Sequence, residues 1–211
     1  MTDKLYISAA CCIKNGKVFI NGELEHEDQS HALSIDFLKS LYKHYAINYP
    51  KFYKMDSLCK LAFITSELIL KNRPIAQEYE GKDIAIVIAN SSSSLEIDTE
   101  HQQTINDPEN YFPSPANFVY TLPNILIGEI AIRNQIKGEN TFFIFDKFDT
   151  HFMATYIESL IKTQKAKACI VGWVDYFENN YEAYLYIVET NPKGMQLTHD
   201  QETINKLTIN N

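Results

Sequence analysis

The sequence predicts an α/β protein: a mixed sheet of five strands with helices on both faces. Three observations lead there. Short continuous runs of branched apolar residues alternate with longer segments whose apolar residues recur at the helical period. The clearest run, residues 83–90 (DIAIVIAN), has the composition of a strand buried on both faces. The last two runs, residues 168–174 (ACIVGWV) and 183–189 (AYLYIVE), are separated by a short polar stretch holding Glu178-Asn179-Asn180. That is too short for a helical crossover, so the fifth strand should be antiparallel to the fourth.

In chain order, residues 5–13 (LYISAACCI) form the first strand. Asn15-Gly16 is a strong hairpin signal, so Val18, Phe19 and Ile20 should pair back before Asn21-Gly22 turns the chain again. Residues 23–31 are expected as a polar loop. Its Glu23, Glu25, His26, Glu27, Asp28 and His31 match no common metal-ligand spacing, so no metal is expected. Residues 32–45 carry Leu33, Phe37, Leu38, Leu41 and Tyr45 as one helical face, closed off by Pro50. Asp56 or Ser57 can cap a stronger helix with Leu58, Cys59, Ala62, Phe63, Ser66 and Ile69 buried, ending at Pro74.

Residues 91–94 are four serines after the strand of residues 83–90, at the strand end where ligands gather in open α/β sheets. No G-x-S-x-G elbow surrounds them, so a linker is expected rather than a nucleophile. Pro113, Pro115 and Pro123 argue against helix before residue 121. A helix should then start near residues 122–124, with Leu122, Ile125, Leu126, Ile130 and Ile136 close to a 3.6-residue period, Glu129 set four residues before Arg133, and a stop at Lys137-Gly138. Residues 141–145 (TFFIF) form the third strand, and residues 149–162 a helix with Phe152, Met153, Tyr156, Ile157, Leu160 and Ile161 on one face. The chain reads as one domain, residues 1–190, followed by a polar tail, residues 191–211, in which Thr198 and Gln201 could cap a short helix bearing Ile204 and Leu207.

Composition narrows the function classes. The chain has 211 residues and a formal charge of -8, with no Lys/Arg cluster, which disfavours nucleic acid. No apolar run approaches a membrane span and no signal-peptide core follows the first residues, so a cytoplasmic protein is expected. Cys11, Cys12, Cys59 and Cys169 lack CxxC spacing and read as buried reduced thiols. No cofactor is expected.

The wording of one stretch is more specific than its periodicity. Ser114-Pro115, Phe118, Thr121-Leu122-Pro123-Asn124, Gly128, Ala131 and Lys137-Gly138-Glu139-Asn140 resemble the segment preceding the nucleophile in β-ketoacyl-acyl-carrier-protein synthases. Tyr53-Lys54-Met55-Asp56 with Lys60-Leu61-Ala62 resembles the start of the first long helix in the same family. The resemblance covers roughly residues 50–190. It implies the N-terminal half of a thiolase-like fold with strand order 3-2-1-4-5, and a close packing role for Gly128. At the position of the nucleophilic cysteine the chain reads Phe145-Asp146-Lys147-Phe148-Asp149, with Lys147 at the degenerate position and Asp146, Asp149 and His151 as neighbours. Neither Lys nor Asp replaces a thiolate in acyl transfer, so condensation is not expected. None of the six histidines sits in a motif like that of the family's second catalytic half, and His151 reads as a helix-start residue rather than an acid/base group.

The resemblance further implies that Thr141, Phe142, Phe143, Ile144 and Phe145 form a dimer-pairing strand, and that Phe118 and Tyr120 lie near an acyl chain, with Phe148 and Phe152 as further pocket candidates. The expected function is a truncated, non-condensing ketosynthase-like pseudoenzyme of the chain-length-factor type. It would be a homodimer, or a heterodimer with a full-length ketosynthase, in fatty-acid, polyketide or aryl-polyene biosynthesis, with a possible acyl carrier protein contact. The acidic surface would force such a carrier onto a local basic patch or the partner. Two alternatives stand beside it: a stand-alone acyl-binding module, and a small acyl hydrolase using Ser94, His151 or Lys147.

Overall fold

The computed structural model describes residues 4–28 and 35–209. Its centre is one mixed eight-stranded sheet. The strands are β1 (Tyr6–Lys14), β2 (Lys17–Ile20), β3 (Glu23–Glu27), β4 (Ile84–Asn90), β5 (Asn140–Ile144), β6 (Ala168–Phe177), β7 (Asn180–Glu189) and β8 (Leu197–Thr198). The order is β3-β2-β1-β7-β6-β4-β5, with β8 pairing β1 off that path. The helices are α1 (Ile35–His44), α2 (Ser57–Asn72), α3 (Leu95–Gln103), α4 (Pro115–Tyr120), α5 (Ile125–Asn134), α6 (Thr150–Lys162) and α7 (Gln201–Ile209).

The continuous apolar runs are strands with a core on each side. In β4, Ile84, Ile86 and Ile88 face one core while Ala85 and Val87 face the other, and β6 and β7 alternate in step. The first core is covered by α1, α2 and α5, the second by α6 and α7. Asp56 caps α2 by accepting the Cys59 N–H at 3.1 Å, and α2 lies across β1, β6 and β7. Gly172 in β6 allows the sheet to close, because a Cβ there would stand 1.9 Å from the Tyr184 carbonyl oxygen.

Several expectations need correction. Among the five strands read from the sequence, the third still neighbours the second, and the fifth is antiparallel to the fourth. The first strand, however, pairs with the outer side of the fifth, giving 3-2-4-5-1 rather than 3-2-1-4-5. The free edge of an antiparallel strand accepts β1 antiparallel, from Tyr6 opposite Glu189 to Lys14 opposite Glu182. Residues 23–27 are a strand, not a loop, because the Asn21-Gly22 turn returns them onto β2. The remainder of that expected loop beyond residue 28, and the start of the first helix with Leu33, lie outside the described residues.

Helix does form before residue 121. Pro115 opens α4 at a position where the missing N–H costs nothing, and Ser114 caps it by accepting the Asn117 N–H at 3.2 Å. The next helix ends earlier than Lys137-Gly138, at Gln135 in the left-handed conformation (φ 55°), where the Ile136 N–H returns to the Ala131 carbonyl. Gly128 makes no close approach within the chain, since a Cβ there would meet nothing within 4 Å. Glu129 pairs with Lys51 at 2.7 Å, and Arg133 with Glu67 at 3.0 Å, not with each other. The expected tail contributes to the second core through Ile204, with Met195, Leu197 and Leu207 packed against it. Thr198 lies in β8 and Asp200 caps α7, accepting the Thr203 N–H at 2.8 Å, while Ile204 is fully buried.

Candidate functional site

The junction of β5 and α6 is where the resemblance places chemistry. β5 is one edge of the sheet, pairing parallel with β4 on its inner side and with no described strand on its outer side. Two bonds fix its orientation: the Ile86 N–H donates to the Glu139 carbonyl, and the Phe145 N–H to the Asn90 carbonyl, both at 2.9 Å. Successive residues of a strand address opposite neighbours, so residues 139, 141, 143 and 145 bond inward. The N–H and C=O groups of Phe142 and Ile144 therefore face outward. Phe143 and Phe145 pack towards α6, with the Phe143 ring 4.9 Å from Phe152 and 5.2 Å from Tyr156, while Phe142 packs on the first core and Ile144 is 55% exposed.

The chain then turns through Asp146, Lys147 and Phe148 into α6. Asp149 caps this helix, its carboxylate accepting the Phe152 N–H at 2.9 Å. A helix start is where unpaired amides and the positive dipole end would depress a thiol pKa. Here one of those amides, the Phe152 N–H, already serves a carboxylate. All four cysteines are buried, and burial pushes Cys12 and Cys169 to about 12 and raises Cys11 and Cys59 as well. None of them is a thiolate.

Lys147 is exposed, makes no ion pair among the described residues, and lines a cleft of about 710 Å³ together with Asp146, Phe148, Asp149 and, from α7, Gln201 and Asn205. The cleft wall is fixed by Thr150, whose hydroxyl donates to Asn205 Oδ1 at 2.8 Å. His151 does not join them. It lines a neighbouring cleft of about 550 Å³ with Glu158, His199 and Asp200. Burial lowers the His199 pKa to about 4, so that imidazole is neutral at pH 7.

The serines are not a linker but a clamped turn. Ser91 Oγ donates to Asp175 Oδ2 at 2.6 Å, the Ser92 N–H donates to Asp175 Oδ1 at 3.1 Å, and the Ser93 N–H donates to Asn90 Oδ1 at 2.9 Å. Ser94 is buried, with its hydroxyl between Asp98 Oδ2 and the Thr121 carbonyl. It sits at the start of α3, which packs on the first core, whereas His151 is on α6 over the second, so this histidine does not reach it.

The four acyl-pocket candidates divide across the sheet. Phe118 is 64% exposed on α4 and Tyr120 is buried in the first core, whereas Phe148 and Phe152 pack on the second. One feature escaped the sequence reading: Phe112, Phe118, Val119, Leu122 and Ile132 are all half or more exposed, on α4, its flanking loops and the outer side of α5. The Tyr111-Phe112 pair inside a proline-punctuated loop was its available signal. No group of described residues could hold a metal, and no described helix is long and apolar enough to cross a membrane.

No family model matches the sequence, and no curated protein is similar to it. Solved structures do match. The ishigamide ketosynthase/chain length factor is similar with a TM-score of 0.64 at 14% identity, over 88% of this chain and 62% of that one. A type II polyketide synthase acyl-carrier protein in complex with its ketosynthase bound to the hexaketide gives 0.63 at 12%, over 90% and 63%. A ketosynthase in complex with its chain length factor from Xenorhabdus doucetiae gives 0.58 at 12%, over 89% and 79%. The chain thus spans less than two thirds of the first two structures. The chain has a ketosynthase-like fold of the thiolase type.

Proposed function

We propose that this protein is a non-condensing, ketosynthase-like subunit that acts by pairing with a full-length ketosynthase, or with a second copy of itself, in fatty-acid, polyketide or aryl-polyene-type biosynthesis. The observation that carries the proposal is the β5–α6 junction, where an edge strand with no described partner on its outer side leads into a helix start that holds no cysteine. The two edges of the sheet contrast. β3 carries Glu23, Glu25 and Glu27, charges of the kind that protect an edge against pairing, whereas β5 reads Asn-Thr-Phe-Phe-Ile with no charge. The exposed apolar residues of α4, its flanking loops and α5 add a surface of the kind that marks a partner. The open space beside Gly128 suits close packing by another chain rather than by this one.

A carrier protein contact, where it occurs, falls to the partner or to a local basic patch, given the net charge of -8. Acyl hydrolysis is disfavoured by the engaged hydroxyl of Ser94 and its separation from His151. Co-expression with candidate ketosynthases followed by analytical ultracentrifugation tests the proposal: a defined complex, together with no turnover of acyl thioesters by the isolated chain, is expected. A chain that stays monomeric beside every ketosynthase of its own cell, or that hydrolyses thioesters in a manner lost in Lys147→Ala or His151→Ala, would overturn it.

A further inference from the structure

On the second face of the sheet, three adjacent strands bring one residue each to a single transverse row: Trp173 of β6 opposite Tyr184 of β7, and Tyr184 opposite Cys12 of β1. Phe148, from the turn before α6, and Thr208 of α7 stand beside this row and help to enclose a well of about 60 Å³. The Phe148 ring meets Trp173 and Tyr184 edge-on, with centroids 6.0 and 6.5 Å apart. Trp173 is 7% exposed and Tyr184 6% exposed. The indole Nε1–H and the Tyr184 hydroxyl are both buried without a hydrogen-bond partner among the described residues.

An indole N–H can only donate, and buried donors are ordinarily satisfied because leaving one unpaired costs stability. Two unpaired groups on directly opposed residues bordering one well call for an acceptor between aromatic walls. The charge at the rim is already cancelled, since Lys14 and Glu182 pair at 2.7 Å, and burial keeps the Cys12 thiol protonated. An anion would lose its water here and gain no free cation. We infer that the well is a binding site for a small neutral carbonyl compound, an amide or ester whose oxygen accepts from Trp173 and Tyr184. Phe148 and Thr208 also line the larger cleft that holds Lys147, so the two spaces adjoin. This site needs neither a partner chain nor the pairing role of β5.

Trp173 is the chain's one tryptophan, so its indole N–H gives a single reporter signal in a ¹H–¹⁵N correlation spectrum. Titration with N-methylacetamide should move that signal downfield with saturation in the millimolar range. Tyr184→Phe keeps the ring and removes the second donor, and should weaken binding about tenfold. Thr208→Leu, which fills the rim from α7, should abolish the response while the rest of the spectrum stays native. A shift that rises linearly without saturation, as a well holding only water would give, overturns the inference. So does equal affinity in Tyr184→Phe, or saturation that survives Thr208→Leu.

Discussion

Proline substitutions at two adjacent positions of β5 should have opposite consequences. The alternation fixed by the Glu139 and Phe145 bonds sends the Phe143 N–H inward, to the Ile88 carbonyl on β4. Phe143→Pro removes that donor and leaves the carbonyl of a fully buried residue unpaired, at about 1–3 kcal/mol. It also loses the half-buried Phe143 ring from its contacts with Phe145, Phe152 and Tyr156, about 2 kcal/mol when the loss for a fully buried ring is halved. Ile144→Pro removes an outward N–H that serves no bond among the described residues, and a side chain already 55% exposed, for about 1 kcal/mol. Urea unfolding should therefore place Phe143→Pro about 2–4 kcal/mol below Ile144→Pro in stability. Sedimentation should show that Ile144→Pro, though folded by circular dichroism, no longer associates through this edge. Equal destabilisation by the two variants would refute the assigned alternation, and wild-type association by Ile144→Pro would refute β5 as the pairing strand.

Other outcomes follow from the same structure. Native-state alkylation should leave Cys11, Cys12 and Cys169 unlabelled until the protein is unfolded, and rapid stoichiometric labelling of any of them would reveal an accessible nucleophile. Lys147→Cys should not acquire thioester condensation, because the Asp149 carboxylate holds the Phe152 N–H and places a negative charge at the α6 start, and acyl-enzyme detected by mass spectrometry would contradict this. His199 has a depressed pKa, about 4 in the folded chain against the ordinary 6.5, so the unfolded chain takes up its proton first. Its contribution to stability is complete above pH 6.5 and is lost as pH falls towards 4, by at most about 3 kcal/mol, and His199→Gln should flatten that part of the stability profile. Gly172→Ala should destabilise by about 3 kcal/mol or more in thermal unfolding, because its Cβ meets backbone that cannot retreat.

The strands were legible because runs such as residues 84–90 and 168–174 have no polar alternation, which only burial on both faces explains. Caps with a side-chain acceptor, such as Asp56, were equally plain. The sheet order was not, since nothing in residues 6–14 announces a partner 168 or more residues away. Pro115 misled because its meaning depends on whether it opens a helix or interrupts one. At the candidate site, the resemblance directed attention to the turn that holds Lys147. The inward or outward sense of each β5 residue, and the meeting of Cys12, Tyr184 and Trp173, depend on register and were invisible before the pairing was known.

The pairing of β1 with β7 also bears on how the protein is made. A nascent chain synthesised through α2 already carries Ile7, Cys11 and Ile13, yet the strand they join does not exist until residue 189 has been added. Most of the polypeptide must emerge before the sheet can close, so apolar strand edges stay available for off-pathway pairing throughout translation. This topology predicts late, largely post-translational folding and reliance on a chaperone that shields extended apolar segments. It also makes the protein sensitive to truncation within β7, which would strand β1 and its hairpin without the neighbour on which they are built.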